Sequence, residues 1–156
     1  MAVDLALEGL AATDVSLGKL ITKAARALLD AVKMKQRALS VVLTDDAHIQ
    51  ALNAQWRDED KPTDVLSFPV EAVDGMPVFA RAPLGDIVIS VEYTRREAAL
   101  IGHTLEAHAT FLLVHGFCHL LGHDHLEPAE AQAMRAEEDR LLAIVAPGRA
   151  RPPTPY

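Results

Sequence analysis

The sequence predicts a single α+β domain, a small mixed β-sheet of about four strands packed with about five helices. Three observations carry that reading. The 156 residues amount to one domain's worth of chain. Half of them are apolar and about a quarter are charged, the ordinary balance of a globular protein. Strand-like and helix-like patterns follow one another irregularly, with no internal repeat and no interdomain linker. Aromatic residues are scarce, so the core is expected to be built mainly from Ala, Leu and Val.

Each element has its own signal. Val3, Leu5 and Leu7 alternate with Asp4, Ala6 and Glu8, the period of a strand. Residues from Ser16 to Lys35 read as an amphipathic helix capped by Ser16, with Leu17, Leu20, Ile21, Ala24, Leu28 and Val32 at helical spacing. Leu39 to Leu43 is β-branched and apolar, a buried strand. Asp45 or Asp46 then caps a helix running through Ile49, Leu52 and Trp56. Arg57 to Pro62 is a charged loop. Val65 to Val70 reads as a strand, and Pro69 places its end at a sheet edge. Asp74 and Gly75 mark a turn, and Pro77 and Pro83 bracket an irregular or hairpin segment. Asp86 to Val91 is a strand, followed by a helix from about Glu92 to Ile101. Thr104 caps a long helix to about Leu121 with Gly122 as its C-cap, and Pro128 opens a last helix over Glu127 to Ile144. The domain is expected to occupy residues 1–146. Residues 147–156, rich in Pro and Arg, are expected to be a disordered tail.

Charge and cysteine usage narrow the function classes. Fifteen Lys and Arg against 22 Asp and Glu give a net charge of −7. That counts against a broad basic face for duplex DNA, because nonspecific binding rests on Lys and Arg neutralising phosphates. A local cationic cleft is still allowed. Cys118 is the one cysteine, so an intramolecular disulfide and a Cys-rich zinc knuckle are both excluded. The first residues lack a basic segment followed by an apolar core, and no apolar run approaches the ~18 residues that span a bilayer. A cytoplasmic protein without a membrane partner is the expectation.

The chemistry concentrates in His115-Gly116-Phe117-Cys118-His119-Leu120-Leu121-Gly122-His123-Asp124-His125. Residues four apart share one helix face, so His115 and His119 point the same way. That suits two nitrogens on one metal ion at ~2.0–2.1 Å. Gly122 lets the chain leave the helix with a positive φ, and His125 can swing back as a third ligand. The spacing is that of the metzincin zinc motif. Three His ligands leave a fourth position open, the pattern of a catalytic rather than a structural site. Zinc peptidases of this spacing carry a Glu after the first His as general base. Here that position is Gly116, which disfavours a metallopeptidase. His123 sits in the turn, and Asp124 reads as a turn residue or a support for a ligand. His108 lies two turns before His115 on the same face and can reach either the site or the core. His48 and His103 read as solvated surface residues, and Cys118 as a small core residue. Upstream, Arg57 and Lys61 are cations in a loop leading into a strand, and Arg offers a planar fork that matches phosphate.

These segments together resemble the YbeY-type endoribonucleases. The resemblance rests on HGFCHLLGHDH, on KPTDVLSFP with the preceding LNAQWR, and on LGDIVIS at Leu84 to Ser90. It covers the middle and C-terminal two-thirds of the chain. It implies one zinc ion held by His115, His119 and His125, with Arg57 as the functional cation. It implies hydrolysis of single-stranded RNA in 3′-end maturation of small-subunit ribosomal RNA and in ribosome quality control. The implied partners are rRNA and the ribosome or its small-subunit proteins. Lys61, His108, His123 and Asp124 are candidates for supporting the ligands or binding substrate. Cys118 stands where Leu is usual in that family, His123 where an aromatic such as Tyr is usual, and Phe111 where relatives often carry another His. No residue stands out as a general base. The acidic balance and the few aromatics predict weak intrinsic affinity for RNA, so a ribosomal protein could deliver the substrate. A non-catalytic ribosome-assembly factor with a structural zinc is the other alternative.

Overall fold

The computed structural model describes residues 3–70, 83–148 and 151–152. Among these residues four strands form one mixed sheet. They are β1 (Val3–Leu7), β2 (Leu39–Thr44), β3 (Val65–Pro69) and β4 (Gly85–Ser90), in the order β1-β2-β4-β3. β1, β2 and β4 are parallel, whereas β3 runs antiparallel to β4 at the edge. Pro69, opposite Gly85, ends β3 where its missing N–H costs no ladder bond to a further strand. Five helices follow the sheet: α1 (Val15–Ala31), α2 (Asp46–Arg57), α3 (Val91–Ile101), α4 (Leu105–Leu120) and α5 (Pro128–Val145).

Alternation sorts the two sheet faces. Leu39, Val41 and Leu43 of β2 and Ile87 and Ile89 of β4 are fully buried on one face, beneath α1 and α4. Val42 and Val88 lie on the other face with Leu66, packed by Ile49 and Leu52 of α2. α4 is apolar nearly all round, because it is wrapped by α1, α3, α5 and the sheet. No helix among the described residues is long and apolar enough to cross a membrane.

Caps fix the helix starts. The Asp45 carboxylate, rather than that of Asp46, accepts from His48 N at 3.0 Å, Ser90 Oγ accepts from Tyr93 N at 3.2 Å, and Thr104 Oγ1 accepts from Ala107 N at 3.1 Å. α1 departs from the sequence expectation at both ends. Ser16 lies inside it and Asp14 takes the cap position, because Gly18 N already bonds to Asp14 O at 3.0 Å. The helix stops at Ala31, short of Lys35, and Lys33 turns the chain with φ +60°. The expected turn at Asp74 and Gly75 and the segment from Pro77 lie outside the described residues. In the tail expected to be disordered, Arg151 is seated on α5. It donates to Glu138 at 2.8 Å, Asp139 at 2.9 Å and Arg135 O at 3.1 Å.

Candidate metal centre and active site

α4 supplies the first two ligand candidates, and its ending supplies the third. The helix closes with Gly122 N bonded to His119 O and His123 N bonded to Cys118 O, both at 3.0 Å, a Schellman turn. Gly122 takes φ +100°, which a Cβ would resist. The chain therefore reverses one residue beyond the helix cap at Leu121 and brings His125 back over α4. Nitrogens of His115, His119 and His125 all lie within 4.8 Å of one another.

The hydrogen bonds fix which nitrogens point inward. His119 Nδ1 is 2.9 Å from the main-chain carbonyl of His123. A carbonyl only accepts, so Nδ1 carries the proton and Nε2 keeps the lone pair. His115 Nδ1 is 2.7 Å from Glu138 Oε2, and the carboxylate imposes the same tautomer. The two Nε2 atoms then face each other at 3.2 Å. Two nitrogens bound at ~2.05 Å to a tetrahedral ion stand about 3.3 Å apart, so the pair fits zinc. Burial, followed by the neighbouring His115, holds the His119 pKa below its usual value and favours the neutral ring that a metal needs.

Glu138 is the residue that sequence reasoning missed. It lies on α5, is 0% exposed, and its other oxygen accepts from Arg151 at 2.8 Å. The signal was present: Met134, Glu138 and Leu141 form the buried stripe of α5, and an acid on such a stripe needs a partner. Arg151 also lies 5.6 Å from the centre of the Phe111 ring.

A cavity of about 470 Å³ opens over the three histidines. Its opposite wall comes from α2 and β3. Arg57, the last residue of α2, reaches it, donates to Ser67 O, and lies 5.3 Å from the centre of the Phe68 ring. Asp64 also lines the cavity. Burial first, and then Glu97, push its carboxyl up to about 6. For Glu97 the opposing burial is outweighed by hydrogen bonds from His108 and Asp64, which hold it below the usual range. Of the two carboxyls, Asp64 is therefore the first to take up a proton as the pH falls.

The remaining candidates are distributed as follows. His123 and Asp124 line the cavity, and Asp124 Oδ1 accepts from His125 N at 2.8 Å, a turn role. His108 is buried on the first turn of α4 with Nε2 at 3.2 Å from Glu97, so it belongs to the core side and not to the cavity. Lys61 pairs with Glu59 at 3.4 Å on the surface and does not line the cavity. Cys118 is fully buried, and burial followed by Glu138 and Glu137 pushes its thiol up to about 12, so it offers no thiolate. Gly116 rests on the sheet. A Cβ there would stand 3.1 Å from Ile87 Cγ2 and 3.3 Å from Ser67 Oγ, so a larger residue must push these side chains back by a few tenths of an ångström. The position that carries the base in zinc peptidases is here a tight contact between α4 and the sheet.

Comparison with known proteins agrees with this geometry. Residues 8–146 match the family described as Endoribonuclease YbeY. A relative of that name from Agrobacterium fabrum is 42% identical over 143 residues, covering 85% of this chain and 83% of the relative. One from Rhodopseudomonas palustris is 49% identical over 122 residues, covering 78% and 72%. One from Sinorhizobium medicae is 53% identical over 107 residues, covering 67% and 62%. The solution structure of TM1509 from Thermotoga maritima superposes with a TM-score of 0.62 at 25% identity, covering 95% of this chain and 99% of that one.

Proposed function

Because the chain belongs to the YbeY endoribonuclease family, we propose that it is a zinc-dependent endoribonuclease cleaving single-stranded RNA. The observation that carries the reading is the cluster of three histidines, with the outer nitrogens of His115 and His119 held, in a cavity that Arg57 also lines. His115 and His119 would hold zinc through Nε2, with His125 completing the set. A bound zinc ion would supply Lewis acidity to a phosphoryl oxygen or a water at the position left open.

The chain's own residues do the rest. Arg57 gives one N–H to Ser67 O, which orients its guanidinium along the cavity wall. The fork is thereby presented to the phosphate before reaction, so charge developing on the phosphoryl oxygens meets it without reorganisation. Glu138 and the His123 carbonyl hold the two helical imidazoles in one tautomer, and Asp124 fixes the turn that returns His125. The setting would be the cytoplasm, the substrate the 3′ region of small-subunit rRNA, and the partners ribosomal. Residues 1–146 would form the zinc hydrolase domain.

The test compares cleavage of single-stranded RNA by metal-quantified wild type, by a chelated sample, and by Arg57→Glu. Activity should follow bound metal and disappear in Arg57→Glu, which should still hold zinc. Cleavage indifferent to both changes would remove the site from the reaction and favour an assembly role without catalysis.

A further inference from the structure

On the other side of Arg57 lies a second groove of about 750 Å³, within the size range of ligand sites. Its floor is the sheet face that α1 and α4 do not cover, made by Val42 and Val88, with Leu52 of α2 beside them. Its walls carry Phe68 and Trp56, the latter 62% exposed on the last turn of α2. Arg57 and Pro69 line this groove and the histidine cavity alike, so the two adjoin at Arg57.

We propose that this groove is a nucleobase subsite, taking the base of the nucleotide next to the phosphate that Arg57 meets. The inference rests on the RNA-cleavage reading and adds where the strand lies. Three features favour a base as occupant. The first is composition: two of the chain's few aromatic side chains stand together here, beside the cation expected to bind phosphate. Aromatic faces stack on any base, which suits a single strand and not a duplex whose bases are already stacked.

The second is polarity. Arg57 stands at the end shared with the histidines, and the exposed Asp86 carboxylate stands at the other end, with no ion pair among the described residues. A phosphate is drawn to the first and repelled by the second. A base, whose amino and imino groups donate, can meet the carboxylate. A nucleotide therefore enters with its phosphate toward the histidines and its base toward Asp86. The third is the net charge of −7. A chain this acidic has no broad basic face to gain from counterion release, so stacking would add to the affinity that Arg57 supplies for a short strand.

Trp56 is the one tryptophan, so its emission reports on the groove directly. Metal-loaded protein is mixed in stopped flow with a single-stranded oligoribonucleotide, with the same strand made abasic, and with its duplex. Saturable quenching is expected from the first alone. In steady state, Trp56→Ala should lower kcat/KM for single-stranded RNA about 5- to 150-fold with bound metal unchanged, and Trp56→Phe should recover most of it. Equal quenching by the abasic strand, or kcat/KM of Trp56→Ala within about twofold of wild type, overturns the subsite while leaving the cleavage reading intact. Base-dependent quenching by RNA that is never cut keeps the subsite and defeats the cleavage reading. A response to small-subunit ribosomal proteins with none to RNA assigns the groove to a protein partner and overturns the proposal.

Discussion

Replacing Glu138 should weaken metal binding without touching a ligand. The carboxylate is fully buried and divides its oxygens, Oε2 to His115 Nδ1 at 2.7 Å and Oε1 to Arg151 at 2.8 Å. In Glu138→Gln one acceptor becomes an NH₂ donor. Arg151 retains Asp139 and the Arg135 carbonyl, so it can lose Glu138 at lower cost than His115 can. The amide should therefore turn its oxygen toward His115, keeping the tautomer and losing the charge. Supporting-group changes typically lower metal affinity 10–100-fold. Glu138→Gln belongs at the lower end, about tenfold or ~1.4 kcal/mol. Glu138→Ala removes the acceptor altogether and belongs at the upper end, about 100-fold or ~2.7 kcal/mol.

The assay is competition for zinc against a chromophoric chelator at fixed pH. Circular dichroism of the chelated proteins separates metal loss from unfolding. Arg151→Ala provides the ordering check: it removes the neutralising cation but leaves the His115 bond, so it should weaken zinc less than Glu138→Ala. Wild-type zinc affinity in folded Glu138→Ala would refute the argument that this carboxylate sets the His115 tautomer.

Two further outcomes follow from packing and charge. Gly116→Glu should cost about 1–3 kcal/mol in urea denaturation, because the Ile87 and Ser67 side chains must give way to it; an unchanged midpoint would contradict the close approach of α4 to the sheet. Asp45 accepts from Leu10 N, from His48 N and from the His48 ring, which lower its pKa from 3.8 to about 2. Its folded pKa is depressed, so its stabilisation is present above 3.8 and is lost as the pH falls through about 2. The stability gap between wild type and Asp45→Asn should therefore be full at neutral pH and should narrow on acidification through that window; a gap that widened would reverse the sign.

Much of the sheet and most of the site were legible because their signals are local. The candidate ligands fall within eleven residues of one helix and its turn, and Thr104 and Gly122 punctuate that helix as their types require. The strand order was not legible. β2 pairs with β4 and passes over β3, and no alternation pattern records which strand lies beside which. The coupling of Asp64 to Glu97, and of Glu97 to His108, joins a loop to two helices and is equally silent in sequence.

Two residues show why type alone misleads. Gly116 reads as a missing base, yet its role is steric: it lets the ligand helix lie against Ile87 and Ser67. His123 reads as a further imidazole for the site, yet its identified contact with a ligand is through the main-chain carbonyl that accepts from His119. Any residue following Gly122 in that turn would present the same carbonyl, so an aromatic in its place preserves the tautomer of His119. Cys118 and His123 thus leave the geometry of the three histidines intact for different reasons. Cys118 is apolar and buried, and position 123 is used through its backbone. The candidate metal site leans on the side chain at position 138 and on the backbone at position 123, and local spacing reveals neither dependence.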